Sequence, residues 1–520
     1  MNASDSSGRR SLAPGLSSAV RGPVLVPGDP GYDEACALWN GRIDRRPAAV
    51  VRCLDAADVV ATIAVARARG LPLAIYGGGH HTAGFALCDD GMVIELSRVK
   101  EIEVDPGRRV ARIGAGVLAR ELNAATQPYG LATTGAPIVS CGMAGYTLGG
   151  GLGWISRKHG LACDNLLSAE VVTADGRTVR AAEDEHPDLF WALRGGGGNF
   201  GVVTRFEFRL HPVGPEVLSG LIAHPMDGAA EVLRFYRDYM PTAPDELACM
   251  PVVYRLPDLP EMPEGHRGDT VFALVPFYDG DPDEGMAAIQ PLREVGAPII
   301  DVVGPAPYAH LLDDLEAGMY YPGERNAYET AFFDELTDAA IDAFVAHAAP
   351  VPSANSSIFF EWLGGAIDRL GPDATAYPHR GRRLCVTAVP KWADPEDDVA
   401  MIGWATRLFE ALAPHAAPGR YVNYLDDRDD GGDAAAPSDA VSRADLAAPS
   451  DAAAPTDATV APTRAARDAY GSHYERLAEI KARWDPDNVF RVNHNIQPAR
   501  GQDPDRRSSS GAPAGRIQRS

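Results

Sequence analysis

The sequence predicts an α+β fold with two domains, and three features of the chain indicate this. Residues 48–76 alternate a β-branched run, an amphipathic helix and a second β-branched run, which is the local pattern of a β-α-β unit. Residues 214–425 contain fewer glycine clusters and more aromatic side chains, with strand-like runs at 270–278 and 356–365. This change of composition near residue 213 predicts that a second α+β domain follows the first.

Short β-branched runs and capping residues define the predicted elements. Residues 48–54 predict a strand, Asp55 is a suitable N-cap for the helix that follows, and Gly70 ends that helix before a strand at 71–76. Further elements are predicted downstream, namely strands at 92–96 and 108–113 and helices at 117–129, 337–349 and 468–484, the last ended by Asp485 and Pro486.

Three stretches lack the large apolar side chains that a core needs. Residues 1–20 and 501–520 are small and polar, and they are predicted to be disordered tails. Residues 426–466 are rich in alanine, aspartate and proline and contain the near-repeats AAPSDA and AAPTDA. They are predicted to be a disordered insertion, with a partner-docking segment as the alternative.

Composition excludes several functional classes. The chain has 520 residues with 71 acidic and 48 basic side chains, and its net charge of −23 argues against nucleic acid or an anionic membrane surface as a partner. No apolar run reaches the length of a membrane span, and the first residues lack a signal-peptide pattern. The seven cysteines are widely spread without metal-ligand spacing, which predicts reduced thiols in a cytoplasmic protein and no metal site.

Four glycine-rich segments are the candidates for carrying chemistry. YGGGHH at 76–81 follows a strand, and its consecutive glycines can expose backbone N–H groups to a phosphate; a sharp turn without a ligand is the alternative. The segment at 135–153 interleaves glycines with apolar residues, unlike a flexible linker, and two further segments lie at 163–176 and 194–203. No P-loop is present, and GAGVLA at 114–119 lacks the downstream acidic residue of a Rossmann nucleotide site.

Two segments near the C-terminus complete the pattern, YVNYLDD at 421–427 and DPDNVFRVNHNI at 485–496. Together with YGGGHH, TLGGGLG and RGGGGNFGVV, they resemble the FAD-linked oxidases of the berberine-bridge-enzyme-like, vanillyl-alcohol-oxidase type. The resemblance extends over residues 22–498 apart from the insertion, and several motifs in the same order make it specific.

This resemblance implies a domain organisation. Residues 21–213 correspond to a PCMH-type FAD-binding domain made of two subdomains, and residues 214–425 to a substrate-binding domain with an antiparallel sheet. Residues 467–500 correspond to a C-terminal segment that completes the FAD-binding domain.

The resemblance also implies FAD as the cofactor, covalently bound through His80 to the flavin 8α-methyl carbon. A single histidyl link is predicted, with Cys141 as a second anchor left open, and His81 is taken as a neighbour positioned by the backbone. The residues implied in cofactor binding are Gly77, Gly78, Gly79, His80, His81, Gly84, Gly142, Gly145, Gly149, Gly150, Gly151, Asn165, Gly198, Asn199, Gly201, Val202, Val203 and Asn493.

Tyr424, in the YxNY element of the family, is the implied catalytic base. A phenol has a pKa near 10 in water, so this role requires neighbours that stabilise the phenolate. The alternative is a packing tyrosine on a strand, with Tyr421 as its strand neighbour and Asn423 on the opposite face. Tyr377, His379 and Tyr421 are the further candidates for the substrate site.

The implied function is that of an FAD-dependent oxidase. Such an enzyme removes a hydride from an alcohol, a sugar or a secondary metabolite, with dioxygen as the acceptor and hydrogen peroxide as the product. Two alternatives remain open, a dehydrogenase of the same fold with another electron acceptor and a flavin-binding protein that has lost its redox activity. The expected partners are a small-molecule substrate and dioxygen.

Overall fold

A computed structural model of the chain describes residues 12–309, 311–313, 322–426 and 463–499. The predicted tails at 1–11 and 501–520, and residues 427–462 of the predicted insertion, lie outside the described residues.

The predicted disordered segments at 1–20 and 426–466 were both too long. Leu16 and Val20 are buried in the core of the N-terminal half. At the end of the insertion, Thr463 caps a helix by accepting the N–H group of Ala466. Alanine and isolated leucine or valine occur both in linkers and in short packed helices. Composition alone therefore could not show where the N-terminal tail and the insertion end.

The N-terminal part of the chain, residues 12–213, carries two main sheets. Its strands are β1 (Val24–Leu25), β2 (Ala49–Arg52), β3 (Leu73–Tyr76), β4 (Met92–Glu95), β5 (Ile102–Asp105), β6 (Val110–Gly114), β7 (Leu131–Ala132), β8 (Leu166–Val172), β9 (Thr178–Ala182), β10 (Val202–Arg209) and β11 (His211–Pro212). Its helices are α1 (Leu12–Ser17), α2 (Tyr32–Ala35), α3 (Ala56–Arg69), α4 (Ala119–Thr126), α5 (Met143–Leu148), α6 (Ser156–His159) and α7 (Pro187–Leu193).

The first sheet has the strand order β1-β2-β4-β3, and β2, β4 and β3 run parallel. Parallel strands need a crossover connection, and α3 joins β2 to β3, which lie on either side of β4. Asp55 accepts the N–H groups of Ala57 and Asp58 at the start of α3, and Gly70 ends the helix with φ of +64°. The predicted β-α-β unit is confirmed. The second sheet has the order β5-β6-β10-β8-β9 and is antiparallel.

Residues 214–426 form the predicted antiparallel sheet and its helices. The strands are β12 (Glu216–Pro225), β13 (Leu247–Arg255), β14 (Thr270–Tyr278), β15 (Ile300–Pro307), β16 (Arg325–Asn326), β17 (Glu329–Phe333), β18 (Ser357–Trp362), β19 (Leu384–Val389) and β20 (Lys391–Trp392). The helices are α8 (Ala229–Tyr239), α9 (Pro282–Glu294), α10 (Asp338–Ala348), α11 (Ala366–Arg369) and α12 (Asp398–Leu412).

The main sheet of this region has seven strands in the order β15-β12-β14-β13-β18-β19-β17. One face packs against α8, α10 and α12, as shown by the buried cluster that joins Leu233, Phe344 and Leu408 to sheet residues. The other face carries Val252, Val275 and further apolar side chains, which face the N-terminal part of the chain. The second face therefore faces the N-terminal part of the chain, and part of it forms one wall of a cavity.

The C-terminal segment returns to the N-terminal half of the molecule. It contains α13 (Arg464–Tyr470) and α14 (Tyr474–Trp484), where the sequence had predicted one helix. Gly471, with φ of +46°, separates the two helices. Leu477 and Ile480 join the core of the first two sheets. The buried Lys481 donates hydrogen bonds to the carbonyl oxygens of Asn199 and Phe490 at 2.7 and 2.8 Å.

Candidate active site

A cavity of about 350 Å³ lies where the two N-terminal sheets, the C-terminal segment and the seven-stranded sheet meet. Its wall is built from residues 77–82, parts of 136–149 and 197–203, the inward faces of β13, β14 and β18, the turn 422–424 and residues 492–494. Segments that are far apart in sequence therefore converge on one enclosed space.

Glycine shapes this cavity in two ways. A Cβ atom on Gly78 would lie 2.4 Å from the backbone nitrogen of Gly142, so the loops that contain these residues touch through their backbones. At Gly145 and Gly198, a Cβ atom would meet nothing within 4 Å. The missing side chains at those two positions leave room for a ligand to approach the main chain.

Backbone N–H groups at the cavity wall are available to a ligand. Those of residues 78–82 donate to no other group of the described chain. Successive N–H groups in such a loop form a concavity that attracts anions. Asn493 also lines the cavity; among the described residues its buried Oδ1 has no hydrogen-bond partner, while its Nδ2 donates to the carbonyl oxygen of Gly198. The wall thus offers donors for a phosphate and an acceptor for an N–H group.

His80 lies at the wall with its ring held on two sides. Its Nε2 atom lies 2.9 Å from Oγ of Ser140. The indole of Trp39 stacks on the imidazole with ring centroids 4.2 Å apart and an interplanar angle of 21°. Burial, aided by the charges of Lys391 and Arg120, lowers the pKa of His80 to about 3. The imidazole is therefore neutral and keeps a nitrogen lone pair at physiological pH.

His81 connects the glycine loop to the turn that carries Tyr424. The N–H group of Ala83 donates to Nδ1 of His81 at 3.2 Å, so the ring proton resides on Nε2. Nε2–H then donates to the carbonyl oxygen of Val422 at 3.1 Å. Burial lowers the pKa of His81 to about 3, which keeps this bridge uncharged.

Tyr424 and Glu361 form a hydrogen-bonded pair at the opposite wall. The hydroxyl of Tyr424 donates to Oε1 of Glu361 at 3.2 Å, and Oε2 of Glu361 is buried without a hydrogen-bond partner among the described residues. The ring of Tyr424 is packed edge-on against Tyr421 and Phe359. These contacts fix the direction of the hydroxyl and leave one carboxylate oxygen unused.

The electrostatics of this pair differ from those that a tyrosine base requires. Burial, together with the nearby Glu361, raises the pKa of Tyr424 well above 10. Burial raises the pKa of Glu361 to about 8, partly offset by the hydrogen bond from Tyr424. The neighbours of Tyr424 therefore destabilise its phenolate, and Glu361 is the group of the pair that ionises near neutral pH.

The substrate-facing wall is otherwise apolar. Alternate residues of the seven-stranded sheet point inward, as expected for a period of two, and contribute Met250, Val252, Val275, Ser357 and Phe359. Tyr328, Trp154 and Tyr146 complete this wall. Among the described lining residues, Glu361 is the one carboxylate, and no lysine or arginine is present.

Most of the predicted cofactor residues line the cavity. They are Gly77, Gly78, Gly79, His80, His81, Gly142, Gly145, Gly149, Gly198, Gly201, Val202, Val203 and Asn493, and Tyr424 lines it as well. Cys141, which was left open as a second flavin anchor, is also at the wall.

Other predicted cofactor residues lie behind the wall and hold its loops. Asn165 donates to the carbonyl oxygens of His159 and Leu161 and accepts from His211 at 2.6 Å. Asn199 donates to the carbonyl oxygen of Gly196 and accepts the N–H group of Ile496. Three glycines, Gly84, Gly150 and Gly151, are also absent from the lining.

The three residues predicted for the substrate site are not at the cavity wall. Tyr377 is buried behind the glycine loop, where a Cβ atom on Gly150 would lie 2.8 Å from its ring. His379 is also buried, with Nε2 3.1 Å from the carbonyl oxygen of Ala469. Tyr421 accepts the N–H group of Gly151 at 2.9 Å. These side chains support the loops that form the wall.

The YxNY element is a turn and not a strand. Val422–Tyr424 form a 3₁₀ turn, so the strand alternation expected for Tyr421 and Asn423 does not apply. Nδ2 of Asn423 instead donates to the hydroxyl oxygen of Tyr421 at 2.9 Å. The turn brings Tyr424 to the cavity while Tyr421 remains in the wall behind it.

Sequence reasoning missed Glu361, Ser140 and Trp39. Glu361 had a usable signal, because a single carboxylate in the apolar run SIFFEW lies on the same strand face as Ser357 and Phe359. Ser140 and Trp39 had none, since their contacts to His80 join segments that are distant in sequence.

Comparisons with known proteins identify the family of this chain. The FAD binding domain model matches residues 47–182, and the berberine and berberine-like model matches residues 420–497. The (R)-6-hydroxynicotine oxidase of Paenarthrobacter nicotinovorans is 30% identical over 492 residues, which cover 92% of this chain and 97% of that relative. This chain belongs to the berberine-bridge-enzyme-like FAD-linked oxidoreductases.

Solved structures show the same fold in this family. The 6-hydroxy-D-nicotine oxidase of Arthrobacter nicotinovorans has a TM-score of 0.78 at 27% identity, covering 94% of this chain and all of that one. The glucooligosaccharide oxidase of Acremonium strictum, described with a 6-S-cysteinyl, 8α-N1-histidyl FAD, has a TM-score of 0.77 at 22% identity and covers 94% of this chain and 99% of that one. The latter likeness supports the PCMH-type fold alone.

The residues of the cavity suit FAD, the cofactor of the family. The N–H groups of residues 78–82 provide donors for a pyrophosphate, and Oδ1 of Asn493 is an acceptor that the protein leaves unused. The absent side chains at Gly145 and Gly198 make the glycine loops accessible to an extended ligand. The berberine-bridge-like chain is thus an FAD-dependent oxidoreductase.

None of the helices in the described part of the chain is long and apolar enough to cross a membrane. No group of three or more His, Cys, Asp and Glu side chains there is arranged to hold a metal ion.

Proposed function

We propose that this chain is an FAD-dependent oxidase that takes a hydride from a carbon bearing a hydroxyl or amine group in a compact, mostly apolar substrate. The observation that carries the proposal is the hydrogen bond from Tyr424 to the buried Glu361 at the cavity wall. Bound FAD would supply the two-electron acceptor, and dioxygen would then be reduced to hydrogen peroxide.

Glu361 is the proton acceptor in this proposal, and Tyr424 connects it to the substrate. The hydrogen of the Tyr424 hydroxyl is directed to Oε1 of Glu361, so the oxygen lone pairs are available to a donor in the cavity. As the substrate gives its proton to the Tyr424 oxygen, Tyr424 passes its own proton to Glu361. The tyrosine stays neutral throughout, consistent with burial raising its pKa well above 10.

The composition of the wall supports a mostly apolar substrate over an oligosaccharide. Met250, Val252, Val275 and Phe359 offer no hydrogen bonds. The few polar side chains beside them, such as Ser357 and Tyr328, are fewer than the hydroxyls of a sugar, which carries one on nearly every carbon. Each buried hydroxyl without a partner costs about 1–3 kcal/mol. The (R)-6-hydroxynicotine oxidase relative acts, by its name, on a small ring compound, and a substrate of that size and polarity suits this wall.

The proposal includes a covalent link between His80 and the flavin. The neutral, stacked imidazole at the wall is a suitable nucleophile. The test is direct, since the yellow colour should remain with acid-precipitated wild-type protein and should be released from His80→Ala. Release of all flavin from the wild-type protein would contradict the link.

The substrate class is tested by anaerobic reduction of the purified holoenzyme. Benzylic alcohols, cyclic secondary amines and oligosaccharides are mixed with the enzyme, and the loss of flavin absorbance is followed. Apolar alcohols or amines should reduce the flavin faster than the oligosaccharides do. Rapid reduction by an oligosaccharide, at a rate that Glu361→Gln leaves unchanged, would overturn both the substrate class and the proton acceptor.

The electron acceptor is tested by the reverse half-reaction. Reduced enzyme mixed with aerated buffer should reoxidise rapidly and release one hydrogen peroxide per flavin. Slow reoxidation by dioxygen, combined with fast reoxidation by a quinone or a dye, would identify a dehydrogenase of the same fold.

A further inference from the structure

Ser140 and Trp39 together determine how His80 is presented to the cavity. The Trp39 stack fixes the plane of the imidazole, and the contact between Nε2 and Oγ of Ser140 fixes its rotation within that plane. Among the described residues, Ser140 is the one hydrogen-bond partner of the ring. Nδ1 is the nitrogen that remains for another bond.

We propose that Ser140 is a positioning residue that directs covalent attachment of FAD to Nδ1 of His80. The inference rests on the histidyl link of the proposed function. A neutral imidazole carries one ring proton and one nitrogen lone pair. When Nε2–H donates to Oγ of Ser140, the lone pair resides on Nδ1. Because the serine engages Nε2, Nδ1 is the nitrogen that is left to react.

The balance of the attachment step explains why a hydroxyl suits this position. One C–H bond of the flavin 8α-methyl group and the N–H bond at Nε2 break, and one Nδ1–C bond forms. The two electrons pass to the flavin ring and then to dioxygen, which takes up the two protons as hydrogen peroxide. Nε2 now carries a lone pair, and Ser140 must change from acceptor to donor. A hydroxyl can do both, whereas an alanine can do neither.

The surroundings of His80 make this orientation matter more. Burial and the nearby Lys391 and Arg120 charges keep the ring neutral, so it carries a single N–H group. The ring therefore cannot be oriented by hydrogen bonds donated from both nitrogens. A neutral ring that lost its Ser140 contact would lose the hydrogen bond at Nε2 and with it the restraint on its rotation. The attachment rate should fall by about tenfold.

The experiment compares Ser140→Ala and Ser140→Thr in the full-length protein. Purified variants are incubated with FAD in aerated buffer, and the flavin that stays with acid-precipitated polypeptide is measured against time. Ser219→Ala is the matched control, because it removes a buried hydroxyl that donates to the carbonyl oxygen of Pro276 at 2.8 Å in the other domain. Non-covalent FAD binding and thermal unfolding are recorded for every variant.

The expected result is attachment about tenfold slower in Ser140→Ala. Non-covalent binding should be unchanged, and Ser140→Thr and Ser219→Ala should attach FAD at nearly the wild-type rate. NMR of the flavin peptide from wild-type protein should show the bond at Nδ1. A wild-type rate in Ser140→Ala, equal slowing in the alanine and threonine variants, or a bond at Nε2 would overturn the inference. Wild-type protein that never attaches FAD would instead contradict the histidyl link itself.

Discussion

Replacement of Glu361 by glutamine is the most direct test of the proposed chemistry. Glutamine keeps the length of the side chain and an oxygen that can accept from Tyr424, but it cannot take up a proton. General acid–base groups contribute about 10²–10⁴-fold to rates. We therefore expect Glu361→Gln to lower kcat/KM by about that factor at pH 9 while FAD stays bound.

The pH dependence follows from the burial of the carboxyl group. Burial raises the pKa of Glu361 from 4.5 to about 8, so the wild-type kcat/KM should rise with pH and level off above about 8. A shift of this size means that the folded protein favours the protonated carboxyl over the carboxylate by a free energy of about 5 kcal/mol, relative to water. The folded state binds the Glu361 proton more tightly than the unfolded state does. This protonation therefore contributes its full stabilisation to the folded protein below pH 4.5, and the contribution is lost as the pH rises through about 8. In Glu361→Gln, the free energy of unfolding should no longer fall between pH 5 and pH 9 on account of this group.

The assay measures two quantities for each variant. One is kcat/KM between pH 6 and 10 with the substrate found in the reduction screen, and the other is the free energy of unfolding at pH 5 and pH 9. Glu410→Gln, an exposed position on α12, is the control for the amide substitution itself. A pH profile in Glu361→Gln that still rises to a midpoint near 8, with kcat/KM within threefold of wild type, would refute the reasoning.

Three further predictions concern the wall and its supports. Tyr424→Phe should lower kcat/KM about 10–100-fold without releasing flavin, and an unchanged rate would exclude the proton relay. Gly78→Ala places a Cβ atom 2.4 Å from the backbone nitrogen of Gly142, so the purified protein should contain little FAD by absorbance; full occupancy would contradict the close approach. In the wild-type protein, Nζ of Lys481 lies 2.7 Å from the buried carboxylate of Asp485. Lys481→Met leaves that carboxylate without its cation. Urea unfolding should show a loss of about 3–5 kcal/mol, and a loss below 1 kcal/mol would contradict a stabilising role of this buried ion pair.

Short sequence patterns were enough to predict individual helices and strands whose ends depend on neighbouring residues. The capping of α3 by Asp55 and Gly70 follows from residues next to the helix, and β14 occupies the predicted range of 270–278. The family resemblance then placed the glycine loops and His80, which the structure brings to one cavity.

The substrate side of the site was not predictable in the same way. Glu361 and Tyr424 are 63 residues apart in sequence, and their contact depends on the end of a strand meeting a turn. Tyr377 and His379 were plausible from residue type alone, yet packing places them behind the glycine loop. Whether a polar side chain faces a cavity or supports its wall depends on tertiary packing, which neither spacing nor residue type contains.

The position of Asn493 and Lys481 has a consequence for the order in which the protein is made. The glycine loop at 77–82 leaves the ribosome long before residues 492–494, which complete the wall of the cavity, and before Lys481, which ties α14 to Asn199. The nascent chain therefore has an open, incomplete cofactor site for most of its synthesis. FAD can be enclosed only after the C-terminal segment has emerged and packed, so cofactor loading should coincide with the last step of folding.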